Sequence, residues 1–331
     1  MQRKNRSVIP CLVAMLFLIA WSCGNPDSSQ QITKTDSSGT ADSIQAILDR
    51  GRYLANHVTG CLDCHSQRDF TKYAGPIIPG TEGRGGELFD PKVGVPWEIY
   101  APNITPAALK DWTDEELTRA ITEGINKKGD TLFPLMPYMT FAQMSQADIQ
   151  DIIRYIRSLA PIENTVPPRK LFIPIAAAVP PHPKPDLAKN MKPSPDDPVK
   201  YGEYLVRSGS CSDCHTPRVN GAPDFARYLA GGNSFSDGIF MVISPNITTD
   251  TLTGIGKWTE EMFLQKFAAS AERAHQADKP GAMNTFMPWE LFAGMKQEDL
   301  KAIYAYLKTV KPVQQAIVKW PPPSTQKKAK S

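Results

Sequence analysis

The feature that most constrains this chain is a motif that occurs twice. "TGCLDCHS" at residues 59–66 returns as "GSCSDCHT" at 209–216, 150 residues later. Of the six cysteines, Cys11 and Cys23 lie at the amino terminus, and the other four all belong to these two motifs. Each motif reads C-x-x-C-H, the pattern of covalent haem attachment: two thiols three residues apart reach two vinyl groups, and the adjacent imidazole faces the iron. A structural zinc site pairs its C-x-x-C elements about 15–20 residues apart, which is not the spacing here. A redox-active dithiol accounts for C-x-x-C in an exported protein but not for the histidine in both copies. The motifs therefore predict two haem c groups, one on Cys61, Cys64 and His65 and one on Cys211, Cys214 and His215.

What fills the sixth position of each iron decides between carrying electrons and small-molecule chemistry. Met136 in "LFPLMPYMTF" lies 71 residues after His65, and Met287 in "MNTFMPWELF" lies 72 after His215. Both precede a proline and then an aromatic residue. Proline fixes its own φ and biases the residue before it towards extended backbone, so the pair forms a stiff loop suited to holding a thioether. Met139 and Met144, and in the second copy Met283 and Met295, compete for the role.

The repetition extends well beyond these ligands. "GRYLANHVTGCLDCH" matches "GEYLVRSGSCSDCH", "APNITPAALKDWTDEEL" matches "SPNITTDTLTGIGKWTEEM", and "MPYMTFAQMSQADIQDIIRYIRSL" matches "MPWELFAGMKQEDLKAIYAYLKTV", always in the same order. Each copy predicts an all-α unit: a first helix into the motif, a long loop, a middle helix, the methionine loop and a closing helix. Thr113 with Glu116 reads as a capping box, Ser145 as a cap for "QADIQDIIRYIRSL", and Thr259 as a cap in the second copy. Tyr53, Leu54 and Tyr155, and likewise Tyr204, Leu205, Tyr304 and Tyr306, are expected to pack where first and last helices cross.

Small helical units with C-x-x-C-H near the start, a methionine before proline some way on and a closing amphipathic helix resemble the class I cytochrome c fold. With "PNIT", "W-T-[DE]-E" and "MP-[YW]", the chain is similar to the cytochrome subunits of membrane-bound, periplasm-facing alcohol and gluconate dehydrogenases. Those subunits typically carry three such domains, and this chain carries two. The resemblance implies tandem class I cytochrome c-like domains joined by a Pro-rich linker, electron transfer, and His65/Met136 and His215/Met287 as axial pairs.

The expected organisation is a signal peptide over 1–22, a flexible tether over 23–46, domain 1 over 47–160, a linker over 161–197, domain 2 over 198–312 and a Pro/Lys-rich tail over 313–331. The start has basic residues, an apolar run from Val8 to Trp21 and then Cys23, a pattern that resembles a bacterial lipoprotein cleavage site with Cys23 as the lipid anchor. Eleven of the 30 prolines fall in and beside the linker, whose middle, "LFIPIAAAV", is apolar enough to lie across a domain. Setting aside Arg3, Lys4 and Arg6 in the signal, the 37 cationic residues fall to the same number as the 34 acidic ones, so no nucleic-acid footprint is visible.

Asn103 and Asn246, in matching Pro-Asn-Ile-Thr stretches, and Trp112 and Trp258 have two readings. They contact haem propionates, or the asparagines close a turn and the tryptophans fill the core. His57, His182 and His275 read as surface residues. The chain is thus expected to be a dihaem carrier and no catalyst, on the periplasmic side of a bacterial envelope, between a dehydrogenase and a downstream cytochrome or oxidase. The alternatives are a dihaem enzyme such as a peroxidase, with one open iron, and a protein stapled by zinc or disulfides.

Overall fold

The computed structural model describes residues 37–322 except 94, 96, 172–174, 176–178, 180–183 and 277–278. The signal segment, Cys23, His182 and the lysine-rich end of the tail lie outside the described residues. In the first half, α1 is Ser37–Tyr53, α2 Cys61–His65, α3 Pro106–Leu109, α4 Asp114–Glu123, α5 Tyr138–Phe141 and α6 Gln146–Ser158. In the second half, α7 is Pro198–Ser208, α8 Cys211–His215, α9 Glu260–His275, α10 Trp289–Ala293 and α11 Gln297–Leu307. Helix α1 starts ten residues ahead of the boundary placed at 47, because "SSGTADSIQA" lacks a helix breaker other than one glycine.

The long loops are not wholly irregular. They close as three short antiparallel ribbons: β1 Leu88–Phe89 with β2 Ile99–Tyr100, β3 Arg218–Val219 with β4 Ala222–Pro223, and β5 Ser234–Ser236 with β6 Met241–Ile243. Strands of two or three residues are too short to leave a period-2 signal, so the all-α expectation missed them.

First and last helices cross at a glycine in each half. A Cβ on Gly51 would stand 2.0 Å from the Asp151 carbonyl oxygen of α6, and one on Gly202 would stand 1.9 Å from the Ala302 carbonyl oxygen of α11. Only glycine lets the backbones approach so closely. From Gly51 to Cys61 the first copy has one residue more than the second has from Gly202 to Cys211. The extra residue is absorbed where α1 widens into a π-helical turn over Leu54–Val58, closed by Thr59 N–H donating to the Leu54 carbonyl at 2.8 Å.

Caps form where the side chains allow. Thr113 and Glu116 make the full capping box, and Ser145 and Thr259 each accept from the N–H three residues on. Lys296 at the start of α11 has no such side-chain cap.

The two halves share one core. Leu54, Val58, Phe141, Met144 and Ile152 of the first are buried in the same cluster as Leu205, Val206, Leu300 and Ile303 of the second. Across that core the halves exchange tyrosines. The Tyr204 hydroxyl donates to Asp148 at 2.7 Å and accepts from the Ser145 N–H at 3.2 Å. In the matching place the Tyr53 hydroxyl donates to Asp299 and accepts from the Lys296 N–H at 3.2 Å. Tyr53 and Tyr204 were expected to pack within their own halves. Instead each caps the last helix of the other, because its hydroxyl supplies the donor that a buried carboxylate needs. Asp148, 1% exposed, also meets Arg50 at 2.5 Å, whereas the position matching Arg50 is Tyr201 and Asp299 is served by two phenols.

His57 is likewise a contact between halves and no surface residue: its Nδ1 lies 2.8 Å from the Leu291 carbonyl oxygen, and its ring fills the place where a side chain on Gly294 would stand. His275 is exposed at the end of α9, 3.4 Å from Glu290. Ile175 and Val179 of the linker are buried, and Lys170 pairs with Glu98 in an isolated antiparallel bridge.

Gly202→Val places a branched side chain against the α11 backbone and is expected to cost about 3 kcal/mol, the upper end for overpacking, because a carbonyl cannot move aside as a rotamer can. The denaturant midpoint of the variant measures it.

Candidate haem sites

The corner before each motif is sharp. Gly60 at φ 66° and Ser210 at φ 53° are left-handed, and each turns the chain so that the next residue, a cysteine, starts a new short helix. One turn of α-helix then presents both thiols and the histidine together. Cys61, Cys64, Cys211 and Cys214 are all free. Burial pushes the Cys61, Cys64 and Cys211 thiols up, those of Cys64 and Cys211 to about 12, so these stay protonated, while Cys214 is exposed.

Each histidine is held from behind by a proline carbonyl. His65 Nδ1 lies 2.8 Å from the Pro102 oxygen, and His215 Nδ1 lies 2.8 Å from the Pro245 oxygen. A carbonyl can only accept, so Nδ1 carries the proton and Nε2 is left with a lone pair for a metal. Burial lowers both imidazole pKa values and the carbonyls oppose that, which keeps the rings neutral. The proline carbonyl, and not the asparagine, is the part of Pro-Asn-Ile-Thr that touches the histidine.

Asn103 Nδ2 donates to the Ile162 carbonyl at 2.8 Å while its Oδ1 accepts from the Thr105 N–H at 2.8 Å. Asn246 does the same, to the Val313 carbonyl at 2.7 Å and from the Thr248 N–H at 2.9 Å. Both asparagines close their turns, and each ties the proline turn to the chain leaving the last helix. Trp112 and Trp258 pack against the core, where their own carbonyls accept from Arg157 at 2.6 Å and from Tyr304 at 2.7 Å.

The methionine loops share a geometry. The N–H of Tyr138 donates to the Met136 carbonyl at 2.8 Å, and that of Trp289 to the Met287 carbonyl at 2.8 Å. The prolines between them sit at φ −80°, ψ 52° and φ −79°, ψ 72°, the inverse γ-turn. The competing methionines are placed elsewhere: Met139 is 51% and Met283 54% exposed, and Met144 and Met295 are locked in the core.

Haem c brings two vinyl groups, an iron and carboxylates; the residues of both halves fit the first two, and those around the second methionine fit the third as well. The thiols and the imidazole Nε2 atoms are available as above. Around the second methionine the side chains also lack an anion: the Trp289 indole N–H is buried with no acceptor, and Lys266 stacks over that ring at 5.2 Å. Lys319 has no ion-pair partner among the described residues. Burial, Lys266 and Arg273 together depress it to about 8. A carboxylated group would answer all of these.

Asn246→Ala removes a buried turn-closing amide and is expected to cost about 1–3 kcal/mol while the haem content stays full. A melting curve and a haem count on the same sample check both halves of that statement.

Residues 199–311 match the cytochrome c family. Over 286 residues the chain is 32% identical to the cytochrome c subunit of a quinone alcohol dehydrogenase from Gluconobacter oxydans (strain 621H), covering 81% of this chain and 56% of that one. It is 30% identical over 287 residues to a gluconate 2-dehydrogenase cytochrome c subunit of Pantoea cypripedii, covering 80% and 60%. A dihaem cytochrome c-type protein of Cereibacter sphaeroides is 26% identical over 264 residues, with 76% and 82% covered. The chain spans a little under three-fifths of the length of the alcohol dehydrogenase subunits it matches. The chain thus carries a cytochrome c domain over residues 199–311 and is similar over most of its length to the cytochrome c subunits of dehydrogenases, a family whose cofactor is haem c and whose work is electron transfer.

Proposed function

We propose that the chain is a dihaem relay: two cytochrome c-like domains, 47–160 and 198–312, joined by the Pro-rich segment 161–197, passing electrons from a dehydrogenase to a downstream cytochrome or oxidase. The observation that carries this reading is the repetition of one site in full. Both halves hold a Cys-x-x-Cys-His turn, a histidine pinned at 2.8 Å by a proline carbonyl, and a methionine in an inverse γ-turn. Cys61 and Cys64 would hold one haem and Cys211 and Cys214 the other, with His65 and Met136, and His215 and Met287, as the iron ligands.

What the groups supply when bound is reversible one-electron chemistry at iron. What the chain supplies is orientation and potential. Neutral imidazoles held in one tautomer give nitrogen ligands of fixed direction. Thioethers in the sixth positions favour the reduced state more than a second histidine would, which places both haems on the high-potential side. Two centres in one chain give the electron an entry and an exit, where one haem could only shuttle.

The dehydrogenase donor is inferred from the complexes to which the related subunits belong and from the shared sequence. Export, lipid attachment through Cys23 and a place on the periplasmic side of a bacterial envelope are inferred from the amino-terminal pattern. With both sixth positions filled, no catalysis is assigned to the chain itself.

In the ferric protein, Met136→Ala is expected to remove one share of the near-infrared band that marks methionine on iron, and Met287→Ala the other. Met139→Ala should leave the band whole. Loss of the band in Met139→Ala and its retention in Met136→Ala would move the first ligand three residues along.

A further inference from the structure

The loop that follows the first Cys-x-x-Cys-His leaves its own half and lies on the methionine loop of the other. Asn284, three residues before Met287 and 1% exposed, accepts from the Ala74 N–H at 2.8 Å. Its Nδ2 donates to the carbonyls of Phe70 at 2.9 Å and Lys72 at 3.1 Å. Tyr73, 2% exposed, packs with Ala74 and Trp289 against Met287, under the Arg273 guanidinium at 4.1 Å. Phe70 meets the Phe286 ring at 5.1 Å. Every polar atom of the Asn284 amide is thus spent on first-half backbone or on its own turn, where Oδ1 also accepts from the Thr285 N–H at 2.8 Å.

The loop that makes these contacts is itself stiff. Arg68 donates to the Gly75 carbonyl at 2.7 Å and to the Ala74 carbonyl at 2.5 Å, and pairs with Asp63 at 2.8 Å. Asp63 lies between Cys61 and Cys64. One guanidinium therefore ties the first cysteine turn to the segment that grips the second methionine loop.

Among the described residues, no hydrogen bond from the second half's matching loop reaches the Met136 loop. The residue matching Asn284 in the first half is Phe133, which packs edge-on to Trp97 of its own half at 4.8 Å. The segment matching the gripping loop is the β3–β4 ribbon, whose four residues are all exposed.

We propose that the first half's 68–76 loop positions Met287, with Asn284 and Tyr73 as positioning residues that hold the second iron's thioether from outside its own domain. The proposal rests on Met287 being the second axial ligand. A loop fixed by three hydrogen bonds and an aromatic wall keeps a weak thioether ligand near its iron; freed of them, the loop carries the ligand away. Opening the grip therefore loosens methionine ligation at the second haem and leaves the first unchanged.

The test uses the full-length holoprotein and three variants: Asn284→Leu, Met287→Ala and Met136→Ala. Haem per chain, the ferric methionine-to-iron band and both reduction potentials are measured. Asn284→Leu is expected to keep two haems, to lose the share of the band that Met287→Ala removes, and to lower one potential while the potential altered by Met136→Ala stays put. An intact band and two unchanged potentials in Asn284→Leu would overturn the proposal and make the grip ordinary packing. A full band in Met287→Ala would instead overturn the ligand assignment beneath it. Should Asn284→Leu fail to accumulate, Tyr73→Leu keeps the Asn284 hydrogen bonds, thins the wall against Met287 together with the Arg273 stacking, and is read by the same two quantities.

Discussion

A buried imidazole must find an acceptor for its Nδ1–H, and the rest of each half is arranged around the carbonyl that provides it. Pro102 and Pro245 point their oxygens at His65 and His215 because the following asparagine closes the turn and ties it to the chain beyond the last helix. That last helix is in turn locked to the first at Gly51 or Gly202, and the first helix leads back to the cysteines. The circuit is closed in both copies. Freeing the histidine ring would cost a buried unsatisfied donor, and loosening any other link would move the carbonyl that satisfies it.

Between the halves the same reasoning runs through carboxylates. Asp148 and Asp299 are buried at the starts of the last helices, and the donors that make this tolerable are tyrosines from the opposite half. The exchange is two-fold in pattern but not in chemistry, since Arg50 stands where the second half has Tyr201. The π-helical turn at Leu54–Val58 and the 68–76 loop break the symmetry further, and both lean on the second half's methionine side. A repeated unit has become a pair of unequal halves.

Much of this was legible beforehand. The C-x-x-C-H pairs, the methionine-proline loops and the capping box at Thr113 carry local chemistry, and local chemistry survives in any context. The aligned glycines at 51 and 202 were in plain view at the head of both repeats, and their matching place was the available signal for the helix crossing. What could not be read was where a side chain would find a partner far along the chain. Tyr53 to Asp299, His57 to Leu291 and Ala74 to Asn284 each span more than 200 residues, and no periodicity encodes them. The short ribbons escaped for the opposite reason: they are too brief to have a period at all.

A potentiometric titration of the purified holoprotein, with haem counted per chain and carbon monoxide added to the reduced form, tests the central claim most directly. The account predicts two haems, two one-electron steps on the high-potential side, and no response to carbon monoxide. A single haem, or a reduced iron that takes up carbon monoxide in the unmodified protein, would contradict the relay and give the open-site enzyme its footing.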